Sequence, residues 1–181
     1  MLNLKKNTRK NVCLVGLMGS GKTVIGKKLS QILQLNFIDT DYEIEKNIGK
    51  SIKEIFEEHG ETFFRNIEEE ICLKFLKNRN SIISLGGGSI LNRKIRNSIK
   101  SNSYSIFINV NLKIILKRLS NSKKRPLLNN ENKEKVLQNL YNERIEYYNQ
   151  ADLVIKNDLD KEDVINKIAA KLKKYDQKNK N

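Results

Sequence analysis

The stretch Gly16-Leu17-Met18-Gly19-Ser20-Gly21-Lys22-Thr23 restricts this chain more than any other. It fits G-x-x-x-x-G-K-[ST] at every fixed position. Asn11-Val12-Cys13-Leu14-Val15 before it is a short apolar run rich in β-formers, and Val24 to Leu33 after it carries Ile25, Leu29, Ile32 and Leu33 at helical spacing. Strand, glycine loop and helix in that order form the setting in which this pattern holds phosphate; without the context it would be an ordinary glycine turn. Gly19 and Gly21 let the backbone curl so that successive N–H groups point inward, and the helix adds its positive end. Lys22 supplies a cation for the β- and γ-phosphates, and the Thr23 hydroxyl is placed to ligate Mg²⁺. The stretch implies a nucleoside triphosphate site, with Gly19, Ser20, Gly21, Lys22 and Thr23 as its ligands.

Composition narrows the rest. With 181 residues the chain reads as one domain with a sizeable core. No apolar run approaches the roughly 20 residues of a membrane-spanning helix, and the basic segment Met1–Lys10 lacks the apolar core of a secretion signal. A cytoplasmic protein is expected. Cys13 and Cys72 stand outside any CxxC or Cys/His cluster and read as small buried hydrophobes. The net charge of +14 raises the question of nucleic acid. The basic residues are not gathered into one arm with interleaved aromatics, and acids are mixed through most helices, so no nucleic-acid partner is expected.

In chain order, residues 1–10 read as a frayed basic arm. Asn36 to Asp39 is a short strand ending in Asp39-Thr40-Asp41. Ser51-Ile52-Lys53-Glu54 is a capping box opening a helix that Gly60 ends, and a longer helix spans 61–77. Ser81 to Leu85 is a strand running into Gly86-Gly87-Gly88. Asn92 caps a helix to about Lys100, Tyr104 to Val110 is a strand, and Leu112 to Leu119 is a helix. A polar segment with the only proline, Pro126, precedes a helix over Lys133–Tyr148. Leu153 to Ile155 is the last strand, and Asp160 caps a final helix with its apolar stripe ending at Leu172. The Lys/Asn-rich stretch 173–181 reads as a loose tail. Five short strands alternating with helices predict an α/β fold, a doubly wound parallel sheet covered on both faces. Ligands gather at the carboxyl ends of such strands, where the phosphate loop, Asp39/Asp41 and Gly86–Gly88 all fall.

Asp39 and Asp41 stand two apart just past a strand. One can face Mg²⁺ through water while the other orients an accepting hydroxyl and takes its proton. The plainer role is that Asp41 caps the helix through Ile44. Arg65, near the start of a Glu-rich helix, and Arg144 in the 133–148 helix suit a carboxylate, because a guanidinium grips both oxygens in parallel. Either alone is an ordinary solvated helix residue. Arg125, directly before Pro126, sits in a basic loop. His59, the only histidine, reads as a surface residue.

Taken in order, Gly16–Thr23, Asp39-Thr40-Asp41, Phe64-Arg65, Gly86-Gly87-Gly88, Arg125-Pro126-Leu127-Leu128, and Arg144 with Tyr148 four residues on resemble shikimate kinase. The similarity covers Asn11 to Leu172. It implies a P-loop kinase fold of the nucleoside-monophosphate-kinase kind, a kinase domain over 11–172, and a moving lid over about 121–131. It also implies transfer of the ATP γ-phosphoryl group to the 3-hydroxyl of shikimate, with Mg²⁺ held by Thr23 and Asp39. By that resemblance Asp41, Arg65, Gly86, Gly87, Gly88 and Arg144 hold shikimate, with Asp41 at the reacting hydroxyl. Lys22, Asp41 and Arg125 serve the chemistry; Arg125 meets the phosphates on lid closure, and Arg118 stacks near the adenine. Small-molecule partners only, and a monomer, are expected. The family usually has proline two residues after its last arginine; here Glu146 stands there, an acid placed to compete for Arg144. Two other readings remain open: a kinase of another small hydroxylated acid such as gluconate, or a nucleotide-binding switch with no small acceptor.

Overall fold

The computed structural model describes residues 10–119, 133–157 and 161–178. Arg125, the expected lid over 121–131, the arm up to residue 9 and the Asp160 cap lie outside the described residues. The five strands are β1 (Asn11–Val15), β2 (Asn36–Asp39), β3 (Ser81–Ser84), β4 (Ser103–Asn109) and β5 (Leu153–Lys156). They form one parallel sheet in the order β2-β3-β1-β4-β5. The helices are α1 (Lys22–Leu33), α2 (Thr40–Ile48), α3 (Ile52–Leu76), α4 (Arg93–Asn102), α5 (Leu112–Leu119), α6 (Lys133–Tyr148) and α7 (Lys161–Lys178). The expected α/β class is what forms.

β1 is central and buried throughout, which is why its sequence is a continuous apolar run and not an alternating one. Asn11, its one polar member, is buried because it is satisfied. Its amide donates to the carbonyls of Leu76 and Asn78, and its Oδ1 accepts from Ser81 N–H. A smaller apolar cluster of Ile44, Ile55, Phe64 and Ile71 joins α2 to α3 away from the main core.

Register brings the site together. Asp39 of β2 lies opposite Ser84 of β3, and Ser84 lies opposite Leu14 of β1. These three neighbouring strands therefore end at one level, each about 4.8 Å from the next. The segments leaving their carboxyl ends (Thr40-Asp41, Gly86–Gly88 and Gly16–Thr23) must emerge side by side. From β1 the chain runs to β2 on one side of the sheet, and from β3 it crosses to β4 on the other, placing the switch point at that same edge.

One local expectation holds and one is corrected. α3 consists of two helices across a kink: Gly60 (φ 77°, ψ 176°) ends the first, as expected, and the second runs on to Leu76. Nothing crowds that glycine, so only its backbone angles require it. The final helix does not stop at Leu172: α7 continues to Lys178, correcting the loose tail expected from 173. Tyr175 and Asp176 fall three and four residues after Leu172, on its face. Tyr175 packs on Tyr104 at 4.3 Å between ring centroids and Asp176 is buried, while Lys173 and Lys174 point outward.

Candidate active site

The phosphate loop folds around its own lysine. Lys22 Nζ donates to the carbonyls of Gly16 (2.8 Å) and Leu17 (3.0 Å), and the residue is buried. Gly16 lets the loop pass close to β4: a Cβ there would sit 2.7 Å from the Ile108 carbonyl oxygen. α1 has Gly21 at its N-cap and no side-chain cap, so its first-turn N–H groups face the loop. Two side chains brace the loop from beyond the motif. Arg118, in the last turn of α5, donates to Gly19 O at 3.2 Å; Asn157, just past β5, donates to Ser20 O at 2.8 Å.

Thr23 Oγ1 donates to Asp39 Oδ2 at 2.6 Å, so the two expected metal-side groups are brought together. Asp39, not Asp41, is the N-cap of α2: its Oδ1 accepts from Asp41 N–H at 3.1 Å. The capping role considered for Asp41 thus belongs to its neighbour. Between them Thr40, fully buried, donates to Ser84 O at 3.3 Å and accepts from Gly86 N–H at 3.1 Å. That hydroxyl fastens the aspartate turn to the glycine loop.

The triple glycine is a matter of space. A Cβ at Gly86 would stand 2.6 Å from Asp41 Oδ1 and 2.7 Å from Glu68 Oε1; at Gly87, 3.2 Å from Met18 N; at Gly88, 2.5 Å from Arg65 Nη1. Arg65 is oriented by two glutamates one helical turn away in each direction. Nη1 donates to Glu68 Oε2 at 2.7 Å, and Nε and Nη2 to Glu61 Oε1 at 3.2 and 3.0 Å. Its guanidinium also lies 5.2 Å from the centre of the Phe64 ring. Burial works against the Arg65 charge, yet Glu68 and Glu61 hold its pKa above the ordinary arginine value. Burial pushes Glu68 up, and Arg65 pulls it only part of the way back.

Arg144 is 3% exposed, an unusual depth for a cation. Its Nε donates to Glu143 Oε2 at 3.3 Å. Glu146, the acid expected to compete for it, is exposed: residues two apart on a helix do not share a face. Tyr148, one turn on from Arg144, donates its hydroxyl to Gly87 O at 2.6 Å.

These elements enclose a cavity of about 580 Å³, lined among others by Thr23, Asp39, Asp41, Arg65, Gly86–Gly88 and Arg144. Its walls carry Asp39 and Asp41 with Glu43, Glu45 and Glu68, and the two arginines, with Phe37, Phe56 and Phe64 as apolar surface. The sequence reading missed Glu68, Thr40 and Asn157. Glu68 had a signal, Arg-x-x-Glu on one helix; Thr40 and Asn157 act across 44 or more residues of chain, and no local pattern announces them.

A parallel sheet of this order, with a Lys22-centred phosphate loop beside a cavity of paired carboxylates and arginines, defines a P-loop kinase acting on a small acceptor. A family model described as shikimate kinase matches residues 18–173. A shikimate kinase from Caldanaerobacter subterraneus is 42% identical over 81% of this chain and 85% of its own. The solved shikimate kinase of Acinetobacter baumannii in complex with shikimate superposes with a TM-score of 0.86 at 32% identity, over 96% of both chains. A gluconokinase from Sinorhizobium meliloti, at 13% identity and a TM-score of 0.60 over 94% of this chain and 95% of its own, shares the fold alone. The chain belongs to the shikimate kinase family.

Proposed function

We infer that this chain phosphorylates shikimate, moving the γ-phosphoryl group of ATP to the 3-hydroxyl. The observation that carries the reading is the cavity: two arginines and Asp41 open onto one space beside the phosphate loop. A carboxylate flanked by hydroxyls suits those walls, the guanidiniums taking the carboxylate and Asp41 a hydroxyl.

In this reading the α1 N-terminus and Lys22 hold the β- and γ-phosphates, and Arg118 lies by the base. Asp41 orients the 3-hydroxyl and accepts its proton as that oxygen bonds to the γ-phosphorus. The bond to the bridging β–γ oxygen breaks and ADP leaves. Arg125 meets the phosphates as a lid closes. Two hard oxygen donors, Thr23 Oγ1 and Asp39 Oδ2, already stand together and suit Mg²⁺, which keeps most of its ligands as phosphate and water. Bound there, the ion would offset phosphate charge. Residues 11–172, with α7 extending beyond them, form the kinase domain. We further read the protein as a cytoplasmic monomer without nucleic-acid or membrane partners. Among the described residues no helix is long and apolar enough to cross a membrane.

The test is ADP release from ATP with shikimate, with gluconate and with neither. Release that depends on shikimate is expected. Equal turnover with gluconate, or turnover indifferent to any acceptor, would overturn the reading.

A further inference from the structure

Tyr148 is 1% exposed, the largest fully buried side chain among the described residues. Its ring stacks on Phe107 of β4, with centroids 4.9 Å apart and planes 19° from parallel. Packing alone would be met by phenylalanine. The hydroxyl has work of its own, since it donates to the Gly87 carbonyl across 61 residues of sequence. Gly87 is the middle of the glycine loop and rests against the phosphate-loop backbone at Met18 and Gly16. Arg144 lies one turn back on the same helix, and both side chains are buried there. Burial raises the phenol well above its ordinary value, so it keeps its proton, and with it the donor, throughout the neutral range.

We propose that Tyr148 is a positioning residue for the acceptor: its hydroxyl ties the Gly87 carbonyl to α6, the helix that carries Arg144 one turn earlier, and so sets affinity for shikimate. The inference rests on the acceptor site read above. Three supports hold the side chain, and one of them is at its oxygen. The α6 helix fixes the ring, the stacked Phe107 prevents its rotation, and the bond to Gly87 stops the loop from sliding away from Arg144. A donor–acceptor pair buried this deeply leaves the Gly87 carbonyl without its partner when the hydroxyl is removed. The loop must then shift to regain one, and it carries the acceptor wall with it.

The experiment compares Tyr148→Phe with Leu137→Val. Leu137 is a fully buried residue of the same helix outside the site, and it serves as a control for stability alone. Steady-state KM for shikimate and for ATP, and calorimetric binding of shikimate and of ADP, are measured on each protein. Tyr148→Phe is expected to raise the shikimate KM and Kd about five- to fifteenfold, with ATP and ADP values within about twofold. Leu137→Val should lower Tm without separating the two substrates. Equal changes for both substrates in Tyr148→Phe, or no change beyond that of the control, would overturn the proposal. A wild-type protein that binds ADP but neither binds nor phosphorylates shikimate would instead overturn the acceptor assignment itself.

Discussion

Among single residues, the two aspartates of the site are separated by their partners. Asp39 is committed to Thr23 and to the α2 cap, whereas Asp41 stands against Gly86 and faces the cavity. Asp39→Asn should therefore raise the Mg²⁺ concentration needed for half-maximal rate and leave shikimate binding nearly intact. Asp41→Asn should keep the Mg²⁺ dependence and lower kcat by about 10²–10⁴-fold, the usual range for a lost general base. Parallel titrations of Mg²⁺ against rate and shikimate against heat check this; equal shifts in both variants would make the pair one shared metal site. Arg65 is held by glutamates on two sides, and its planar fork is what they orient. Arg65→Lys keeps the charge but not the fork, so the shikimate KM should rise about tenfold or more while the ATP KM stays near its original value. An unchanged shikimate KM would return Arg65 to an ordinary helix surface.

Between elements, α1 and β2 meet closely at a glycine. Gly26 is buried in the middle of α1, and a Cβ there would overlap Phe37 Cε2 and come within 3.1 Å of Phe37 Cδ2 and 3.2 Å of Leu14 Cδ1. Two effects compete in Gly26→Ala. Helix propensity favours alanine by about 1 kcal/mol, while overpacking a tight contact costs about 1–3 kcal/mol. The clash should win, giving a net loss of about 1 kcal/mol and a lower denaturation midpoint. Because Phe37 lines the cavity, shikimate binding should weaken in the same variant. A stabilised Gly26→Ala would show that Phe37 turns aside freely. Apolar spacing identified α1 from the sequence, but nothing local signalled this contact, since Phe37 meets Gly26 only when strand and helix pack.

Across the molecule as a whole, Glu68 couples the site to stability. Burial raises its pKa above the ordinary 4.5, with Arg65 pulling back and Asp41 pushing up. A raised carboxyl binds its proton more tightly in the folded protein than in the unfolded one. Its contribution to stability is therefore full below about pH 4.5 and is lost as pH rises through the folded value. Glu68→Gln removes that titration. Relative to wild type, the variant should gain stability as pH rises from about 4.5 to the folded value of Glu68, and the difference should level off above it. Urea midpoints across a pH series measure the difference; a variant that instead loses stability relative to wild type as pH rises would reverse the assignment.

The elements and the phosphate site were legible in the chain alone. Both are local: β1 to α1 carries its strand, loop and helix signals within about two dozen residues, and hydrophobic period needs no distant partner. Asp39, Asp41, Gly86–Gly88, Arg65 and Arg144 were likewise in view as residues of the right chemistry. How they meet was settled by packing. The alignment of Asp39, Ser84 and Leu14 across β2, β3 and β1 brings three separate loops to one edge. Tertiary contacts likewise set Tyr175 against Tyr104, a reason for α7 to continue, and joined Tyr148 to Gly87 across 61 residues. One cause is common to all of these. A residue's type is written in the chain, but its partner is set by which strands pair and which helix faces turn inward, and those follow from burying one shared core.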